Sequence, residues 1–203
     1  MPRVSLLVVA ATAIRGDDIW TLLSAGQTSG PPRDSGAVAR WDGHRWRLAA
    51  LPRPFAHYGD PASLVAVSDG DVWVGGGVAS KQLDLTEAAA HWTGSRWQLL
   101  KAPTRPSSQA DCALTSVQPS LGGLLGLGDC YASGQASPVR WRLWQLRGDR
   151  WIRLIGPRIR QRGTLLALAG LRGARSLWAV GYSGSSGIIA EYVQVPRLCC
   201  KAR

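Results

Sequence analysis

The chain has 203 residues, enough for one large domain or two small ones, and its 45% hydrophobic content lets it bury a core. Its 24 basic and 13 acidic residues give a formal charge of +11, but only Lys81, Lys101 and Lys201 are lysines, and the arginines are spread without a block of like charge, which argues against a dedicated nucleic-acid surface. No run approaches the roughly 18 consecutive apolar residues of a membrane-spanning helix, so no membrane span is expected. Ten Trp stand beside one Phe and four Tyr, which points to Trp at particular repeated places.

The N-terminal stretch MPRVSLLVVAATA has the outline of a secretory leader, an Arg followed by an apolar run and small residues. Its end also aligns with the first strand of a repeat, and the strand is the reading adopted. Unit one then supplies apolar or alternating segments at 9–14, 18–23, 37–41 and 45–51, bounded by Gly, Pro, Asp and Ser. Unit two supplies 63–68, 71–76, 88–92 and 96–101. Unit three supplies 112–117, 124–128, 138–146 and 150–155. Unit four has 164–170, 176–181 and 188–193, and stops where a fourth strand is due.

Two anchors recur. Gly43, Gly94 and Gly148 each precede a Trp by three residues (Trp46, Trp97, Trp151) and a Pro by nine, at spacings of 51 and 54 residues. Upstream, Trp20, Trp73 and Trp178 occupy the second strand, with Leu125 at that place in unit three. With Trp41 and Trp92 ending third strands, eight of the ten Trp are in register and only Trp141 and Trp144 are not. Four short strands per unit of about 50 residues predict a β-propeller, because no segment has the length or period of a solenoid helix.

The expected fold is therefore all-β: about four four-stranded blades with the fourth incomplete, either a whole propeller or part of a larger one. Blades are placed at about 9–52, 62–103, 111–157 and 163–195, within repeats covering 1–196, followed by a basic tail at 197–203 with Cys199 and Cys200. Residues 1–8 are a candidate for the missing strand; without them an open edge invites self-association. Each glycine anchor supplies the φ > 0 residue of a tight turn. Trp41 and Trp46 are expected to face each other across the first such turn. The second-strand Trp are expected to fill the space between blades rather than stack on a ligand.

The glycines closing the second strand (74–77), the aromatic ending the third (Trp92), the Trp opening the fourth (Trp97) and the following Ala-Pro resemble the kelch repeat, the unit of galactose-oxidase-type central propeller domains, over residues 9–193. Only the second unit carries the glycine run, and the spacing from aromatic to Trp is shorter than in kelch units. The third-turn Gly-x-x-Trp also resembles a sialidase Asp box, but Trp41, Trp92 and Leu146 stand where that box has Asp. A copper-radical oxidase would need a Tyr, His and Cys constellation that does not assemble here.

Function is expected in the diverging loops at 26–36, 77–88 and 128–138 and in the connectors at 52–62 and 103–111. The candidate ligand-binding residues are Arg33, Arg53, Phe55, His57, Tyr58, Asp60 and Tyr131. No catalytic residue, metal site or cofactor is assigned, because no nucleophile elbow, metal-ligand spacing or phosphate loop occurs. Nothing in the sequence pairs Asp34, Asp60, Asp84, Glu87, Asp111 and Asp129. Arg45, Arg96 and Arg150, each before a fourth-strand Trp, are read as stacking on it, with a ring for an anionic partner as the alternative. Cys112 and Cys130 flank the turn at 121–123 at similar distances; they either form a disulfide across a hairpin, which favours a secreted or cell-surface protein, or are two buried thiols. The expected function is a non-enzymatic scaffold for a protein or carbohydrate ligand, with a glycan-active hydrolase or lyase as the alternative.

Overall fold

The computed structural model describes residues 6–25, 36–56, 59–79, 85–102, 110–120, 123–132, 140–155, 163–170 and 176–193. They form four antiparallel sheets of four, four, four and three strands, each ordered as in the chain. Blade 1 is β1 (Leu6–Arg15), β2 (Asp18–Ala25), β3 (Gly36–Trp41) and β4 (Trp46–Ala49), and a single helical turn, α1 (Arg53–Ala56), leads to the next blade. Blade 2 is β5 (Asp60–Ser68), β6 (Asp71–Ala79), β7 (Leu85–Trp92) and β8 (Trp97–Lys101). Blade 3 is β9 (Ala110–Ser120), β10 (Gly123–Ala132), β11 (Arg140–Arg147) and β12 (Arg150–Leu154), and blade 4 is β13 (Gly163–Gly170), β14 (Ser176–Ser183) and β15 (Ser186–Val193). The first strands lie innermost and side by side, β5 packing on β1 and β9, and β9 on β13.

Because successive strand residues point to opposite faces, each blade has a back face toward the preceding blade and a front face toward the next. In β6, Val72 and Val74 join the core shared with blade 1, while Trp73 joins the core shared with blade 3. Two of the three second-strand aromatics pack between blades as their repetition implies, Trp73 in the core of blades 2 and 3 and Trp20 against Trp92 and Trp97 of blade 2 at ring separations of 6.2 and 6.5 Å, whereas Trp178 is 46% exposed. Leu125 does the same work between blades 3 and 4, among Leu165, Leu168 and Leu177.

The tight turns follow the glycines. Gly43 and Gly94 take φ of 88° and 87° and Gly148 takes 60°, in the region L side chains avoid. Trp41 pairs with Trp46 across the first turn at 5.8 Å, and Trp92 with Trp97 across the second at 5.6 Å. Asp42 holds the first turn by accepting the His44 and Arg45 amides on Oδ1 and the Arg47 guanidinium on Oδ2. The third turn is shorter, with Arg147 opposite Arg150 and Leu146 opposite Trp151 in the Trp–Trp position.

Several boundaries depart from the sequence reading. β1 begins at Leu6, and Leu6–Val8 pair with Leu23–Ala25, so these residues extend blade 1 instead of supplying the missing strand of blade 4. Residues 1–5 and the tail at 197–203 lie outside the described residues. β6 runs to Ala79, β7 starts at Leu85 and β10 reaches Ala132, which turns much of the expected loops at 77–88 and 128–138 into strand. The longer β6 follows from pairing across its glycine run at 75–77: at Gly76 a Cβ would fall on the Asp60 carbonyl and 2.9 Å from the Phe55 ring, so its absence lets the chain pass.

Candidate functional site

The expected site residues divide sharply. Arg33, His57 and Tyr58 lie outside the described residues. Phe55, expected on an exposed connector, is fully buried in the core between blades 1 and 2, because the α1 turn closed by Pro52 directs its ring inward; its observed role is packing. Arg53 on the same turn is exposed. Asp60 opens β5 and Tyr131 lies near the end of β10, both at the end of the sheets from which the variable loops emerge.

At that end the strand pairing gathers acidic groups that the sequence left separate. Tyr131 pairs with Asp111 and Cys130 with Cys112, and the two cysteines are joined as a disulfide tying β9 to β10. Asp111 accepts the Leu85 amide of blade 2 at 2.9 Å. Asp60 is exposed at the start of β5, yet the chain crowded around its carboxyl, and next the charge of Asp111, raise its pKa. Tyr131 is pushed up as well, first by burial and then by the charges of Asp129, Tyr182 and Asp60. Among the described residues no cation pairs with Asp60, Asp111 or Asp129, despite the chain's excess of arginine.

Two carboxylates expected on loops, Glu87 and Asp129, are strand residues buried between blades. Glu87 reaches from β7 under blade 3, where its Oε2 accepts from Arg142 and its Oε1 from the Trp144 indole, each at 3.1 Å. Gly128 makes that possible, because a Cβ there would fall on the Glu87 carboxylate. Trp144, outside the repeat register, is thereby explained: its N–H satisfies a buried charge. Asp129 is 2% exposed, its Oδ1 has no hydrogen-bond partner, and burial, aided by Glu87, raises its pKa to about 6 against a weaker opposing bond to Thr115.

A second constellation sits at the tight-turn end. Asp18 in β2 is buried and receives two bonds from Arg40 at 2.8 and 2.9 Å, and the guanidinium lies 5.0 Å over Trp20. Burial alone would raise the Asp18 pKa; the bonds from Arg40 and the surrounding charges outweigh it and hold the carboxyl low. Blade 2 repeats the device with different chemistry: His91 contacts Asp71 at 2.9 Å and stacks on Trp73 at 3.7 Å. Beside it opens a cleft of about 490 Å³ between blades 2 and 3. Repetition at the same register marks the set of Asp, basic side chain and Trp as a packing device. Arg40 also takes the stacking role expected of Arg45, Arg96 and Arg150, which are exposed on their turns. The Asp-x-Trp spelling at 18–20 and 71–73 was visible in the sequence; the cation on the neighbouring strand was not.

Among the described residues no three His, Cys, Asp or Glu side chains converge as metal ligands, and no helix is long and apolar enough to cross a membrane. The acidic end of blades 2 and 3, around Asp60, Asp111 and Tyr131, is the place where, among the described residues, carboxylates gather without a paired cation. No protein-family model matches the chain, and no curated protein is similar to it, so the fold and this site carry the functional argument.

Proposed function

We propose that the protein is a non-enzymatic, kelch-like propeller module that binds a protein partner at the loop end of blades 2 and 3, taking a Lys or Arg side chain of that partner between Asp60 and Asp111. The observation that supports it is the raised pKa of Asp60 beside Asp111, with no cation of the described residues to relieve the repulsion. A bound ammonium or guanidinium would relieve it, and charge-assisted bonds to carboxylates are among the stronger ones available. Tyr131 adds a ring and a hydroxyl at the same end.

The test is calorimetric titration with an arginine-containing peptide and, separately, a neutral oligosaccharide, at pH 4.5 and 7. The peptide is expected to bind at pH 7, more weakly at pH 4.5 as Asp60 protonates, and at least tenfold more weakly to Asp60→Asn. Oligosaccharide binding with no response to the peptide would move the ligand class to carbohydrate. A glycan-active enzyme is supported by one observation: a carboxyl with pKa about 6, as at Asp129, can remain protonated to act as a general acid. Against it, Asp129 is almost fully covered and the neighbouring Glu87 is bonded to Arg142 and Trp144. Aryl-glycoside cleavage abolished by Asp129→Asn would establish the enzyme instead.

A further inference from the structure

Blade-to-blade packing follows one rule three times over. The second-strand residue on the front of a blade enters the back of the next: Trp20 against Trp92 and Trp97, Trp73 in the core with Leu114 and Trp151, Leu125 in the core with Leu165 and Leu177. Blade 4 carries the same front, and none of the described residues covers it. Trp178, at the Trp20 position, is 46% exposed, and with Val180, Tyr182 and Ile189 it makes one apolar face, since Trp178, Val180 and Tyr182 alternate on β14 and Val180 pairs with Ile189.

Blade 1 carries the complementary back, equally uncovered. Trp46 and Leu48 correspond to Trp97 and Leu99, which are partly buried in the core that receives Trp20. In blade 1 they are 51% and 72% exposed, and Val8, at the other edge of the sheet, is exposed on the same side. A contiguous exposed apolar face of this kind marks an association site.

We propose that these faces are the two halves of one interface and that the occupant is a second copy of this chain, blade 4 of one copy seating on blade 1 of the next as blade 1 seats on blade 2. A like copy fits because the chain already builds this joint three times from the same repeat positions. Because the two patches differ, the contact is heterologous and closes into a ring or extends as a chain of copies. It is a face-to-face stacking of sheets, distinct from strand addition at the open edge of β15.

Light scattering on the purified chain tests it, with Ile189→Glu and Leu48→Glu placed at residues exposed enough (74% and 72%) to leave the single copy folded, as circular dichroism will verify. The wild-type chain is expected at a mass of two copies or more, and each variant alone at one. Mixing the two variants in equal amounts is expected to restore a two-copy species, because one variant retains an intact front and the other an intact back. A monomeric wild-type chain, an assembly that survives both substitutions, or a mixture that stays monomeric would each overturn the proposal; the loop-end site can be titrated independently in either state.

Discussion

Gly43 and Gly16 lie on the two turns at one end of blade 1, yet only one of them is required. Gly43 sits at φ 88°, and a Cβ there would stand 3.2 Å from the Asp17 Cβ, whereas Gly16 has neither a positive φ nor a neighbour within 4 Å. Gly43→Ala is therefore expected to destabilise the chain by about 1–2 kcal/mol, and Gly16→Ala to stay within about 0.5 kcal/mol, as read from urea denaturation. Carboxylates show the same dependence on surroundings. Asp18, bonded to Arg40, is held below its ordinary pKa, while Asp129, buried without a cation, is raised from 3.8 to about 6. For Asp129 the folded state binds the proton more tightly than the unfolded chain. Its contribution to stability is thus fully present below about 3.8 and lost as pH rises to about 6. Asp129→Asn is expected to remove that loss: relative to wild type, the variant gains on the order of 2 kcal/mol between pH 4 and pH 7. Parallel pH profiles for the two proteins would sink this reading of Asp129.

Pairs of strands carry the next level of organisation, and two cross-links hold it. Glu87 on β7 and Arg142 on β11 join blades 2 and 3 through a fully buried carboxylate. Removing Glu87 alone leaves the guanidinium with its partner gone in a largely covered slot, so Glu87→Ala is expected to cost about 3–5 kcal/mol, and replacing both partners by apolar residues to cost less than the sum of the single changes. A double-mutant cycle in urea measures this. The Cys112–Cys130 disulfide closes 18 residues of chain between β9 and β10. In the loop-closure account such a cross-link contributes about 3 kcal/mol, so reduction is expected to lower the unfolding midpoint without changing the sheet content seen by circular dichroism.

Across the whole molecule, stability is a sum of blades and joints, as in other repeat architectures. Among the described residues blades 2 and 3 each pack on both sides, whereas blade 4 has three strands and packs mainly on blade 3. In a monomeric variant such as Ile189→Glu, hydrogen exchange is expected to be fastest among the strands in β15 and slowest in β6 and β10. Equal protection in β15 and β10 would mean that blade 4 is supported by something other than the joint to blade 3.

The sequence alone determined the blade count, the glycine turns and the Trp between blades, because each is a local demand repeated at a constant spacing: a positive φ, a flat side chain on an alternating strand, an apolar run of strand length. It also brought Cys112 and Cys130 to opposite places on one hairpin, leaving open whether they bond. What only the tertiary structure decided lies between blades and outside the repeat. Glu87 meets Arg142 and Trp144 across 55 and 57 residues of chain, Arg40 finds Asp18 across a sheet, Phe55 turns into the core, and Asp60 comes under the charge of Asp111. Such meetings depend on the order in which sheets stack, and a period read along the chain carries no record of which side chains face one another across a joint.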